Sequence, residues 1–93
     1  MEDLVVYRVT AFSEALAEAF ARLLPQLSPR LGALSEERLR RLLAAPAAAL
    51  YVAERAGRIV GTLTLAWYDA PSGRKAWIED VVVDAAARGC GAG

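Results

Sequence analysis

The order of apolar and polar positions along the 93-residue chain changes period twice. Leu4-Val5-Val6-Tyr7-Arg8-Val9-Thr10 is rich in β-branched and aromatic residues and predicts a strand. From Ser13 the spacing turns helical. Leu16, Phe20, Leu23, Leu24 and Leu27 form one apolar stripe, with Glu14, Glu18 and Arg22 assigned to the wet face. Ser13 is the expected N-cap, and Pro25 should end or kink the helix near its last turn. Ser28 to Leu34, with Pro29 and Gly32, reads as a loop. A second helix opens at Ser35, with Glu36 and Glu37 in the first turn, where the helix dipole favours anions. Leu39, Leu42 and Leu43 are its apolar stripe, and Pro46 marks the stop.

Beyond Pro46 the pattern is β. Leu50–Arg55 predicts a strand, Ala56-Gly57 a tight turn, and Arg58–Trp67 the next strand. Gly61 inside that run implies a bulge or a close backbone approach. Tyr68–Lys75 reads as a turn, and Ala76–Asp84 as the last and most apolar strand. The expected fold class is α/β (α+β): a mixed, largely antiparallel sheet covered by two N-terminal helices. Residues 1–93 read as a single domain.

Composition narrows the function. Eleven basic and eleven acidic residues cancel to a net charge of zero, so there is no basic footprint for nucleic acid and no polybasic membrane anchor. The absence of histidine excludes a Ser-His-Asp triad, a Cys-His pair and the usual histidine-bearing zinc sites. The single cysteine cannot form an internal disulfide and fits a reducing compartment. The acidic start Met1-Glu2-Asp3 lacks a signal-peptide pattern, and no apolar run approaches the roughly 20 residues of a membrane helix. These features predict a cytoplasmic domain with no nucleic-acid or membrane partner and no metal.

The sharpest chemical signal is the segment Arg88-Gly89-Cys90-Gly91-Ala92-Gly93. Glycines at 89, 91 and 93 allow backbone N–H groups to converge on a phosphate, because no Cβ blocks the approach. The spacing fits neither the P-loop nor the dinucleotide fingerprint, and a flexible glycine-rich tail is the plain alternative. Glu79 and Asp80 are the only plausible acid–base pair on the sheet. Strand alternation predicts that they point to opposite faces, with Glu79 sharing a face with Trp77 and Val81. Tyr51, Trp67, Tyr68 and Trp77 are read as core aromatics, although Tyr68 and Asp69 sit where a loop could meet an amine. Arg38, Arg40 and Arg41 read as a solvated helix face, and Cys90 as incidental.

The stretch Ile78-Glu79-Asp80-Val81-Val82-Val83-Asp84, followed by Arg88, Gly91 and Gly93, resembles the central motif of the GNAT family of acyl-CoA-dependent N-acetyltransferases. In that motif an apolar strand leads into [R/Q]-x-x-G-x-[G/A], and Gly89 fits its common Arg-Gly variant. Ile59-Val60-Gly61-Thr62-Leu63 is similar to the family's third strand, and the order of elements resembles the N-terminal portion of its acyl-CoA N-acyltransferase-like fold. The resemblance implies an N-acetyltransferase that moves an acetyl group from acetyl-CoA to a small-molecule or peptide amine. It implies that backbone groups of Val81, Val82 and Val83 pair with the pantetheine arm, and that the amides of Arg88, Gly89, Cys90, Gly91, Ala92 and Gly93 hold the pyrophosphate.

By the same resemblance Glu79 matches the acidic catalytic residue of polyamine acetyltransferases and related members. Deprotonating an ammonium needs such a carboxylate. Asp80 is the second choice, as base or amine anchor, and a role for neither stays open. The family continues past the loop with a helix and further strands, so the reading expects a truncated domain, inactive until completed by a missing C-terminal segment or a partner chain, or a homo-oligomer. The rivals are a non-catalytic half-fold that pairs through its last strand and a generic nucleotide-phosphate binder.

Overall fold

The computed structural model describes residues 4–31 and 34–87. The chain runs β1 (Leu4–Val9), α1 (Glu14–Leu27), α2 (Glu36–Ala44), β2 (Ala48–Arg55), β3 (Arg58–Ala70) and β4 (Gly73–Val83), then a short 3-10 turn over Ala85–Ala87. The four strands form one sheet in the order β1-β2-β3-β4, and every described pairing is antiparallel. The α+β architecture of two helices on a largely antiparallel sheet is therefore present, with no parallel pair among the described residues.

Local chemistry starts each helix. Ser13 caps α1 by accepting from the Leu16 amide at 3.1 Å, and Ser35 caps α2 by accepting from Arg38 at 3.1 Å. Pro25 does not stop α1, which runs on to Leu27. A proline in the last turn forfeits a single backbone donor, and the Ser28 amide closes the end on the Leu24 carbonyl at 3.1 Å. Leu16, Phe20, Leu39, Leu50 and Val52 form the principal core between helices and sheet. Full burial of each large side chain contributes about 1.5–3 kcal/mol, an upper figure because denatured chains already bury some surface.

The hairpins differ from expectation in length. The β2–β3 turn is Ala56-Gly57 as read, with φ of +54° and +76°, the left-handed pair of a primed two-residue turn. The β3–β4 turn shrinks to Pro71-Ser72, and Tyr68–Ala70 and Gly73–Lys75 belong to the strands. Asp69 and Arg74 pair across this hairpin at 2.9 Å, and turn-forming composition at its tip does not prevent a paired ladder. Although read as the most apolar strand, β4 is largely exposed. Trp77, Ile78 and Val81 are exposed, Val83 is half-buried, and only Val82 is buried. Because β4 forms an edge of the described sheet, its apolar residues lack a covering layer here. Tyr68 and Trp77 are likewise exposed rather than core aromatics, whereas Tyr51 and Trp67 are half-buried.

Candidate active site

The register of β3 on β4 breaks at one place. Thr62 pairs with Val82 and Thr64 pairs with Glu79, so Leu63 alone faces both Asp80 and Val81. This is a β-bulge on β4, and Asp80 takes φ +50° to make it. Aspartate is among the few residues that tolerate the left-handed region, because its short polar side chain bonds locally.

The bulge overturns the expectation from simple alternation. Glu79 and Asp80 border the same helix-side cavity, whereas Val81 lines a cavity with Tyr51 and Leu63 toward the opposite face. Glu79 therefore does not share a face with Val81, and the two neighbouring carboxylates can act on one substrate. A single inserted residue separates the outcomes, since one step of register moves a side chain across the sheet.

The helix-side cavity has a volume of about 350 Å³. Its apolar wall comes from Phe20 and Leu24 of α1, Leu31 and Leu34 of the connection, and Leu42 of α2. Thr62, Thr64, Glu79 and Asp80 are its floor, and Arg38 reaches it from α2. Arg38 is exposed, as expected of the solvated face it shares with Arg40 and Arg41, but it also borders this cavity, which the sequence reading missed. Those two are paired with Glu36 at 2.7 Å and Glu37 at 3.0 Å, and Arg40 also lies over the Phe12 ring at 4.3 Å. Arg38 stands four residues before Leu42, and that spacing on one helix face was the signal available for it.

The second cavity, of about 270 Å³, is bordered by Val81, Val82 and Val83 with Gly61 and Leu63. Gly61 is where the backbones approach: a Cβ there would sit 3.3 Å from the Val82 carbonyl oxygen. The close approach read from Gly61 is thus present, although the β2–β3 register shift falls one residue away, between Ala53 and Glu54. An apolar slot beside three strand residues suits a flexible, amide-bearing arm whose polar groups bond to main chain. Arg88, Gly89, Cys90, Gly91, Ala92 and Gly93 lie outside the described residues.

Asp84 ends β4 in a buried network. Its carboxylate accepts from the Ala86 amide at 3.0 Å and from Arg22 at 2.8 Å. The amide bond first, and then the guanidinium, hold its carboxyl below the ordinary aspartate value against the opposing effect of burial. Arg22 is therefore not a solvated residue of α1, as its helical position suggested, but a link from that helix to the end of β4. Among the described residues no three His, Cys, Asp or Glu side chains cluster to hold a metal, and no helix is long and apolar enough to cross a membrane.

Residues 10–93 match the model of the acetyltransferase (GNAT) family, and the chain belongs to that family. No curated protein matches the sequence. Among solved structures, it is similar to an aminoglycoside acetyltransferase from an uncultured soil metagenomic sample, crystallised in complex with sisomicin, at TM-score 0.81 and 23% identity. The match covers 97% of this chain and 62% of that one. It also resembles a ribosomal-protein-alanine N-acetyltransferase from Brucella melitensis biovar Abortus 2308 (TM-score 0.71, 22% identity, 94% of this chain and 62% of that one). An acetyltransferase of Trypanosoma brucei aligns at TM-score 0.68 and 28% identity over 97% of this chain and 66% of its own. The chain spans under two thirds of each of these proteins.

Proposed function

We propose that this domain serves N-acetyl transfer from acetyl-CoA to an amine. The observation that carries the reading is the bulge at Asp80, which gives one strand two working surfaces. Glu79 and Asp80 turn to the helix-side cleft, and Val81 turns to the slot on the other side. Membership of the acetyltransferase family supports the same chemistry.

Acetyl-CoA supplies an activated acetyl thioester. The backbone of Val81, Val82 and Val83 is the proposed partner of its pantetheine arm, and the amides of Arg88 to Gly93 are the proposed partners of its pyrophosphate. In the cleft Glu79 takes a proton from the substrate ammonium, directly or through one water, and leaves an amine lone pair free to attack. Asp80 holds the ammonium in place before that transfer, or shares the role of base. The balance is one N–C bond formed, one C–S bond broken, and two protons lost by nitrogen, the first to the carboxylate before attack and the second, after attack, to the departing sulfur. The lone cysteine accords with a reducing compartment, and the reading is of a cytoplasmic enzyme. Catalysis by the 93 residues alone, after completion by further chain, or with a second copy are three forms of the proposal.

The test is release of free thiol from acetyl-CoA in the presence of amines, with Glu79→Gln as the comparison. Removing a general base lowers turnover by about 10²–10⁴-fold and leaves acetyl-CoA affinity nearly unchanged. Saturable pairing with another chain and no affinity for acetyl-CoA would overturn the reading in favour of an interaction module.

A further inference from the structure

The helix-side cleft carries charge of both signs, and among the described residues none of it is paired. Glu79 and Asp80 lie on β4 and Arg38 lies on α2, and Phe20, Leu24, Leu34 and Leu42 line the same cavity. Among the described residues, no side chain pairs with Arg38, Glu79 or Asp80, whereas Arg22, Arg40, Arg41 and Arg74 each have a carboxylate partner. Nor do Arg38 and the two acids reach each other within the 4.0 Å of an ion pair.

A ligand that satisfies all of these groups has a cation at one end, an anion at the other and an apolar spacer between. We infer that the acceptor is an amine carrying a carboxylate set off by several carbons, with Arg38 as the residue that selects it. A guanidinium presents two parallel donors to a planar carboxylate, which is the geometry such an end group requires. A plain diamine would put its second cation against Arg38, and a plain alkylamine would leave the guanidinium unused. A cavity of about 350 Å³ is of small-molecule size, near the lower end of ligand sites. The assignment rests on the acetyl-transfer reading for the fate of the amine, and not for its recognition.

The experiment titrates the isotope-labelled chain with 6-aminohexanoate, hexylamine and 1,6-diaminohexane at low salt, following the Glu79 and Asp80 amides and the Arg38 side chain by NMR. The expected result is that 6-aminohexanoate binds about tenfold more tightly than hexylamine and the diamine more weakly than either, with the preference shrinking as salt rises. Arg38→Gln should abolish the preference, Arg38→Lys should keep part of it, and Arg41→Gln should leave it intact. Equal affinity for the three amines, no measurable binding of 6-aminohexanoate, or a preference that survives Arg38→Gln would overturn the assignment. The two readings fail separately. Selective 6-aminohexanoate binding without thiol release from acetyl-CoA refutes only the transfer reading. Acetylation of hexylamine and 6-aminohexanoate with equal efficiency refutes only the role of Arg38.

Discussion

Arg22 and Asp84, 62 residues apart in sequence, are joined by a 2.8 Å charge-assisted hydrogen bond that fastens α1 to the end of β4. The same guanidinium donates to the Ile59 carbonyl at 2.9 Å, and Gln26, one turn further along α1, accepts from the Ala85 amide at 2.7 Å. The helix thus holds both the last residues of the strand and the turn that leads towards Arg88. Arg22→Ala would leave a buried carboxylate without its main cation. We expect a loss of about 2–4 kcal/mol, read as a lower urea midpoint, with Arg22→Lys recovering part of it. An unchanged midpoint would show that the link is only geometric.

The same network sets the response to acid. Asp84 has its folded-state pKa lowered, through the Ala86 amide and then Arg22, with Arg58 at 4.0 Å as the outer cation. A lowered carboxyl stabilises the fold fully above its unfolded value of about 3.9, and that stability is lost as pH falls through the folded value. Arg22 stays charged throughout, since its own value is raised. Asp84→Asn should therefore show a shallower loss of stability below about pH 4 than the parent chain. Urea titrations at stepped pH check this, and parallel acid limbs would contradict it.

The bulge makes its own prediction at Asp80. A β-branched residue at φ +50° is strained, so Asp80→Val should cost about 1–2 kcal/mol or force the ladder back into simple alternation. Asp80→Asn tolerates the same backbone and should keep the fold while removing one charge from the cleft. Thermal melts give the stability order. Amide shifts at Glu79 and Val81 report whether the bulge persists.

Gly61 is tested from the other side of the bulge. Its missing Cβ lets the Val82 carbonyl lie where a side chain would be 3.3 Å away. Gly61→Val adds branched bulk against backbone and narrows the slot beside Val81–Val83. The expected cost is about 1–3 kcal/mol, with displaced Val82 and Val83 amide signals. A variant of parental stability with unmoved signals would remove the argument for a close approach.

Much of this architecture was readable from periodicity. Ser13 and Ser35 as caps, the Leu16–Phe20–Leu23 stripe and the Ala56-Gly57 turn follow from local chemistry, which a sequence displays directly. The site was less readable for a definite reason. Which way Glu79, Asp80 and Val81 point depends on pairing with Leu63, a contact 16 or more residues away, and period-two alternation predicts the wrong face for a bulged strand. Arg22 was misplaced similarly, because its partner Asp84 lies on another element. The exposure of Ile78 and Val81 was invisible to a reading based on their apolarity alone.

That exposure gives the last prediction. Ile78 and Val81 are 63% and 50% exposed on β4, and Val6 of β1 is 62% exposed. By register Ile78 stands opposite Leu65, and the slot beside Val81 reaches Val6, Tyr51 and Leu63. These residues make an apolar surface away from the helices, next to a β4 edge whose far side carries no strand among the described residues. Apolar patches of this kind are uncommon on monomers, and an edge strand offers a template for pairing. A second copy of the chain brings the same apolar surface and the same edge, so the pairing can close symmetrically. We expect light scattering to show a mass that rises with concentration towards a dimer. Ile78→Lys combined with Val81→Lys places charge in the patch and should restore the monomer mass while leaving the helices and their caps intact. A parent chain that stays monomeric at millimolar concentration, or a doubly substituted chain that still associates, would show that this surface is not what brings copies together.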